Sequence, residues 1–178
     1  MMMRELRLSD LENYGYWLLP IHRYHLLNGP YFKKRNKAEV DEYVSTLRKR
    51  LLKGEVMEDR RCICNEKDEV IGEVSWYWKS EETQWMEIGI VLFDEKYWGK
   101  GIGFEALKWW IDHLFEKYDF LVRIGLTTWS GNNGMMRLSE KLGMQKEAQY
   151  RKARIVNGEY YDSISYGILK EEWQTLDL

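Results

Sequence analysis

The stretch Glu87–Phe115, EIGIVLFDEKYWGKGIGFEALKWWIDHLF, decides how this chain is read. Three glycines, Gly99, Gly101 and Gly103, stand between an apolar run, EIGIVLF, and an amphipathic run that starts at Phe104. The first run has strand character. In the second, Phe104, Leu107, Trp110, Ile111, Leu114, Phe115 and Tyr118 recur at helical spacing. Backbone N–H groups at the start of a helix lack internal partners and carry partial positive charge. A strand, a glycine-rich turn and a helix therefore make a place for a phosphate, with glycines letting the anion approach closely. A turn that only lets strand and helix pack would use the same glycines, and their spacing alone divides evenly between the two readings.

Two familiar phosphate loops do not fit. A Walker A loop needs Gly-Lys-Ser/Thr, but Ile102 follows Gly101. The dinucleotide pattern G-x-G-x-x-G fails at Phe104 when Gly99 begins it, and the acidic ribose partner of a parallel βαβ unit is not evident.

The flanking sequence supplies the other elements. SDLE, with Ser9 and Glu12, has capping-box spacing and predicts a first helix beginning there. Asn36 with Glu39 predicts the cap of a second helix whose apolar face is Val40, Tyr43, Val44, Leu47 and Leu51. From residue 60 the pattern turns to strands, RRCIC, EVIGEVSWYW and QWMEIGIVLF, with a polar turn near Glu66–Asp68. After the central helix come the strand FLVRIGLTTW, a short helix over Asn132–Leu142 ended by Gly143, and a hairpin turning at Asn157-Gly158. Helices, then mixed strands and helices, then a hairpin, without repeat or linker, predict one α+β domain over residues 1–178.

Composition narrows the function. A chain of 178 residues suits one sizeable core. Its 27 Lys+Arg against 29 Asp+Glu argue against a nucleic-acid partner, which usually meets basic excess. No apolar run reaches the ~20 residues of a membrane helix, and MMMRELRLSD is too charged for a secretory signal, so a cytoplasmic protein is expected. Cys62 and Cys64 alternate on a strand; two thiols make no zinc site, so core packing is expected and no metal.

With these elements in place, the sequence resembles the GNAT superfamily of acetyl-CoA-dependent N-acetyltransferases. Trp98-Gly99-Lys100-Gly101-Ile102-Gly103 is similar to the superfamily's Gln/Arg-x-x-Gly-x-Gly/Ala loop, with Trp98 in place of Gln or Arg. NNGMMRLSEKLGM resembles its second motif: Asn132, Lys141 and Gly143 align, while Met135 and Met144 depart. The phrase YWGKG with EAL after it is similar to the ribosomal-protein alanine N-acetyltransferase (RimJ/RimL-like) branch. The resemblance covers nearly the whole chain. It implies a mixed, mostly antiparallel central sheet with flanking helices and a V-shaped opening for acetyl-CoA. The strand ending at Phe93 would pair with the pantetheine arm, the amides of Trp98, Gly99, Lys100, Gly101, Ile102 and Gly103 would hold the pyrophosphate, and Asn132 would contact the pantetheine.

Acetyl transfer to an amine needs a lost proton, an oxyanion donor and a protonated leaving thiolate. Glu87, on the strand before the loop, is the candidate base; its alternative is an ordinary strand carboxylate. Where relatives place a tyrosine acid, this chain has Ser139, which could orient water. Where some ribosomal-protein acetyltransferases implicate a serine, it has Met135. His22, His25 and Tyr31 are acceptor-side candidates, with a plain surface loop as the blander reading. The expected function is acetyl transfer to a primary amine, a peptide or ribosomal-protein N-terminus being the favoured acceptor. The alternatives are a small amine, polyamine or antibiotic, or a CoA-binding module that has lost catalysis.

Overall fold

A computed structural model describes residues 1–177. Seven strands form one sheet: β1 (Met2–Arg4), β2 (Arg60–Cys64), β3 (Val70–Ser80), β4 (Trp85–Leu92), β5 (Arg123–Trp129), β6 (Gln145–Val156) and β7 (Glu159–Leu169), in the order β1-β2-β3-β4-β5-β7-β6. The helices are α1 (Leu11–Leu18), α2 (Lys37–Leu52), α3 (Ile102–Lys117), α4 (Asn133–Lys141) and α5 (Lys170–Thr175). The pairings of β1 with β2, β2 with β3, β5 with β7 and β6 with β7 are antiparallel, while β4 runs parallel to β5. The chain divides into two compact units, residues 1–75 with 90–102, and residues 76–89 with 103–178.

In the first unit, α1 and α2 build a core around Leu11, Tyr14, Leu47, Cys62, Cys64 and Phe93. The expected α2 cap is present: Asn36 Oδ1 accepts from the Glu39 N–H at 2.9 Å, and a Glu39 oxygen accepts from the Asn36 N–H at 2.8 Å. Val40 and Leu47 are fully buried, as the helical spacing requires. The entry to α1 differs from expectation. A single 3-10 turn over Leu8–Asp10 precedes it, and Asp10 rather than Ser9 takes the cap position. The cause is electrostatic: Asp10 is drawn back by two hydrogen bonds from Arg4, at 2.7 and 2.9 Å, and one from the Arg7 N–H at 2.7 Å. Both cysteines are free and buried, as expected of core thiols.

In the second unit, α3 buries Ala106, Leu107, Trp110, Ile111, Leu114 and Phe115, one stripe of the amphipathic run. The β6–β7 hairpin turns at Asn157 and Gly158, both at positive φ, which an Asn-Gly turn supplies. β6 departs from plain pairing. Gln145 and Lys146 pair with Gly167 and Tyr166, then the register slips so that Ala148 meets Ser165 and Glu147 is left as the extra residue of a bulge. Two short elements escaped the periodicity: β1, three residues long, and α5, which follows the last strand directly.

Candidate active site

The glycine loop lies in the first unit. Phe93, which follows β4, gives its N–H to the Ile71 carbonyl at 2.9 Å. Its ring is buried among Tyr14, Trp17 and Tyr24, with centroids 6.0, 6.0 and 5.4 Å away. Phe93 is therefore a core residue whose amide is already committed to β3. Asp94 then caps a short 3-10 turn over Glu95–Tyr97 by accepting from the Lys96 N–H at 3.0 Å. Trp98 returns toward the strand: its indole N–H donates to the Leu92 carbonyl at 3.0 Å, and its ring packs on the core. This explains why tryptophan can stand where relatives carry Gln or Arg. The side chain anchors the loop, and any anion contact falls to the main chain.

Gly99 and Gly101 have φ of +68° and +82°, in the region that costs other residues strain. A Cβ at either would meet no atom within 4 Å. Backbone conformation, not crowding by the protein, is therefore what asks for glycine there, and the space beside the loop is open. The next residues start α3, so the loop delivers the chain into a helix N-terminus, the arrangement that suits a phosphate.

Glu87 lies in the second unit. The β4–β5 ladder consists of Met86↔Ile124 and Glu87↔Gly125, so Glu87 occupies its last paired position. The side chain is 3% exposed and its two oxygens are well supplied. Oε2 accepts from the Tyr77 hydroxyl, and Oε1 accepts from Lys79 Nζ at 2.8 Å and Thr127 Oγ1 at 3.1 Å. Thr127 Oγ1 is also 3.3 Å from Ser165 Oγ. A buried carboxylate requires such compensation. Beyond it, Lys79 Nζ sits 4.5 Å from the Trp85 ring centroid and Arg123 sits 5.4 Å from the same centroid. Arg123 in turn pairs with Glu147, the bulged residue of β6. Gly167 makes this possible: a Cβ there would lie 2.4 Å from the Glu147 carboxyl carbon. The network joins five strands, and each of its two carboxylates, Glu87 and Glu147, is matched by one cation.

Tyr77, Lys79 and Thr127 were missed in the sequence. A signal existed for two of them, because alternation along SWYWKS places Tyr77 and Lys79 on one strand face. Nothing short of the register could have put them beside Glu87.

Asn132 is the cap of α4, its Oδ1 accepting from the Met135 N–H at 3.0 Å. Ser139 is fully buried in that helix and donates its hydroxyl to the Met135 carbonyl at 2.9 Å. That is the ordinary way a helix satisfies an internal serine, and the structure does not bring this hydroxyl into the Glu87 network. His22 and His25 are tied by Nε2 to the carbonyls of Tyr16 and Leu19, at 2.8 and 2.9 Å, so both rings order the connector between α1 and α2. Burial lowers the pKa of His25.

The strand order, the strand–glycine loop–helix unit and a buried carboxylate at the end of a short parallel ladder define an acyltransferase fold. Residues 1–145 match the acetyltransferase (GNAT) domain model, and the chain belongs to that family, whose chemistry uses acetyl-CoA. It is 33% identical over 122 residues to the uncharacterized N-acetyltransferase YnaD of Bacillus subtilis, covering 68% of this chain and 69% of that protein. It is 38% identical over 80 residues to the prophage-derived N-acetyltransferase YokL of the same organism, covering 45% of each. It is 33% identical over 88 residues to YdaF, provisionally named a ribosomal N-acetyltransferase there, covering 49% of this chain and 47% of that one. The matches thus span about half the length of the last two relatives. Among solved structures, spermidine N-acetyltransferase from Vibrio cholerae, in complex with CoA and spermine, has the same fold at 18% identity, with a TM-score of 0.75 and 98% of each chain covered.

Proposed function

We propose that the chain moves an acetyl group from acetyl-CoA to a primary amine bearing a single charge, with the N-terminus of a protein, such as a ribosomal protein, as the acceptor. The observation that carries this is charge matching. Around the candidate base, Glu87 is answered by Lys79 and Glu147 by Arg123, so neither of these carboxylates is left unmatched for a polycation. The YWGKG…EAL phrase and the likeness to YdaF support the ribosomal-protein direction. The family match runs through both compact units, which supports reading residues 1–178 as one acetyltransferase domain.

In this reading the amides of Gly99–Gly103 hold the pyrophosphate, with Lys100 as an added point charge, since the expected Trp98 amide is taken by the Glu95 carbonyl at 3.0 Å. The residues of β4 before Phe93 meet the pantetheine, since the Phe93 amide is engaged with β3. The Asn132 side chain uses its oxygen as a cap, so its NH2 is the group that would meet a pantetheine carbonyl. Glu87 is the base, and Ser139 carries no proton in the reaction. Nothing in the mechanism asks for a metal.

A second reading, a polyamine acceptor, is favoured by the spermine-bound neighbour and by a cleft of about 410 Å³ in the first unit, lined by Asp10, Asp68, Glu69 and Asp94. Those acids are also engaged: Asp10 and Asp68 with Arg4, and Asp94 with Lys96. A panel of peptides with free N-termini, spermidine, spermine and an aminoglycoside, incubated with acetyl-CoA and read by mass spectrometry, separates the readings. Peptide acetylation at the α-amine is expected. Faster turnover of spermidine or spermine would replace the proposal with the polyamine reading. CoA binding without turnover of any amine would make the chain a binding module.

A further inference from the structure

A base must reach the proton it takes, and Glu87 is poorly placed to do so alone. It is 2% exposed, and its oxygens already accept from Tyr77, Lys79 and Thr127. An amine acceptor arriving from solvent meets one of those donors before it meets the carboxylate. The three donors differ in what they can do. An ammonium such as Lys79 has protons to give and no lone pair to receive one. Thr127 is a link in a hydroxyl chain with Ser165, directed along the sheet. Tyr77 is 53% exposed, far more than the carboxylate it serves, while its hydroxyl proton points at Glu87 Oε2. A phenol donates and accepts through one oxygen. It can therefore hand its own proton inward while receiving another on its outer side.

We propose that Tyr77 is a catalytic residue, the proton relay between the acceptor amine and Glu87. The proposal rests on the reading of Glu87 as base. The acceptor enters as an ammonium, because amines of this kind titrate at about 7.7–8.0 for an α-amine and ~10.4 for a lysine-like one. Its proton passes to Tyr77 Oη as the Tyr77 hydroxyl proton passes to Glu87 Oε2. The freed nitrogen lone pair attacks the thioester carbonyl carbon. The C–N bond forms, the C–S bond breaks, and the sulfur leaves with the bonding electron pair. The thiolate takes up the second proton shed by the nitrogen. Glu87 then returns its proton to solvent through Tyr77. One ammonium and one thioester have become one amide, one thiol and one released proton, and the tyrosine ends as it began.

The charged groups facing this pair bear on its pH behaviour. Lys79 comes from β3 and contacts Glu87 directly; Arg123 on β5 is paired with Glu147 on β6; Thr127 and Ser165 are neutral. Among the described residues the other carboxylate of this network is Glu147, and Arg123 is paired with it.

The test uses Tyr77→Phe, Glu87→Gln and the double variant, with thiol release measured across pH on whichever panel amine the wild type turns over fastest. Tyr77→Phe keeps the ring and removes the relay oxygen. Its kcat is expected to fall about 100-fold at neutral pH, the lower range for losing proton-transfer catalysis, with the acceptor KM little changed. The deficit should shrink as pH rises and more amine arrives neutral, and a weakly basic amine should largely escape it. The double variant should be no slower than Glu87→Gln alone, since both changes cut one path. A slow Glu87→Gln beside a wild-type Tyr77→Phe overturns the relay and leaves the base reading standing. A wild-type Glu87→Gln overturns the base reading itself. A Tyr77→Phe protein with lower Tm, or raised KM, and an unmoved pH profile makes Tyr77 structural and overturns the relay. Absence of turnover on every amine overturns both.

Discussion

Gly101→Ala separates what the loop's backbone needs from what a ligand needs. Gly101 sits at φ +82° and an added Cβ would touch no protein atom within 4 Å. The cost to the unliganded protein is therefore conformational, about 1–2 kcal/mol for a residue with Cβ in the left-handed region. At roughly 2–4 °C per kcal/mol for a chain of this size, Tm should drop by about 2–8 °C. If the neighbouring amides hold a pyrophosphate, the new methyl also stands where the anion approaches. Losing one hydrogen bond to a charged group costs about 1.5–3 kcal/mol, which is on the order of 10- to 150-fold in Kd. Gly158→Ala supplies the control. It has φ +83° and equally open space, but lies in the β6–β7 turn. Both variants should lose similar stability in urea titrations, and only Gly101→Ala should lose CoA affinity by calorimetry. Equal affinity in a folded Gly101→Ala protein would refute the phosphate cradle. Unchanged stability in both would refute the strain argument.

Asn132→Ala should lower the Tm of the unliganded protein through loss of the α4 cap, worth about 1 kcal/mol, and weaken CoA binding measured by calorimetry well below Tm; a loss of stability with unchanged affinity would leave Asn132 a cap alone. Burial pushes the Glu73 carboxyl up, while its oxygen accepts from the Tyr14 hydroxyl at 2.6 Å. The folded state then holds its proton to higher pH than the unfolded chain, so this group's stabilisation is full at low pH and declines as pH rises from the ordinary glutamate range through the raised folded value. Glu73→Gln should remove that decline from urea titrations taken across pH, and an identical pH slope in the two proteins would count against it. Cys64, whose thiol is pushed up to about 11 by burial, and Cys62, whose thiol burial raises further, should resist a thiol reagent at pH 8 until the protein is unfolded.

The elements that sequence made legible are those held together by local chemistry. The α2 cap needed only Asn36 and Glu39, and the α3 stripe needed only its spacing. The glycine loop was legible as a motif because φ above zero at Gly99 and Gly101 restricts the residue type wherever the chain goes. Asp10 displaced Ser9 at the α1 cap because Arg4 intervened from a strand that three residues do not announce. Phe93 looked like the end of a ligand-pairing strand, yet its amide bonds Ile71 on another strand. Ser139 aligned with a functional position in the resemblance, but burial turned its hydroxyl to its own helix.

What stayed hidden about Glu87 was its company. Tyr77 is ten residues earlier and Thr127 forty residues later, and both distances become hydrogen bonds only through the sheet's register. The same register gives the network its limits. The β6 bulge turns Glu147 across Gly167 toward Arg123, so that arginine has a carboxylate of its own and does not draw on Glu87. Among the described residues, Lys79 is left as the one cation that hydrogen-bonds Glu87. Without that cation a buried charge would be left uncompensated. The bulge and the glycine, neither of which touches Glu87, thus shape its chemistry by deciding which positive charge it does not meet.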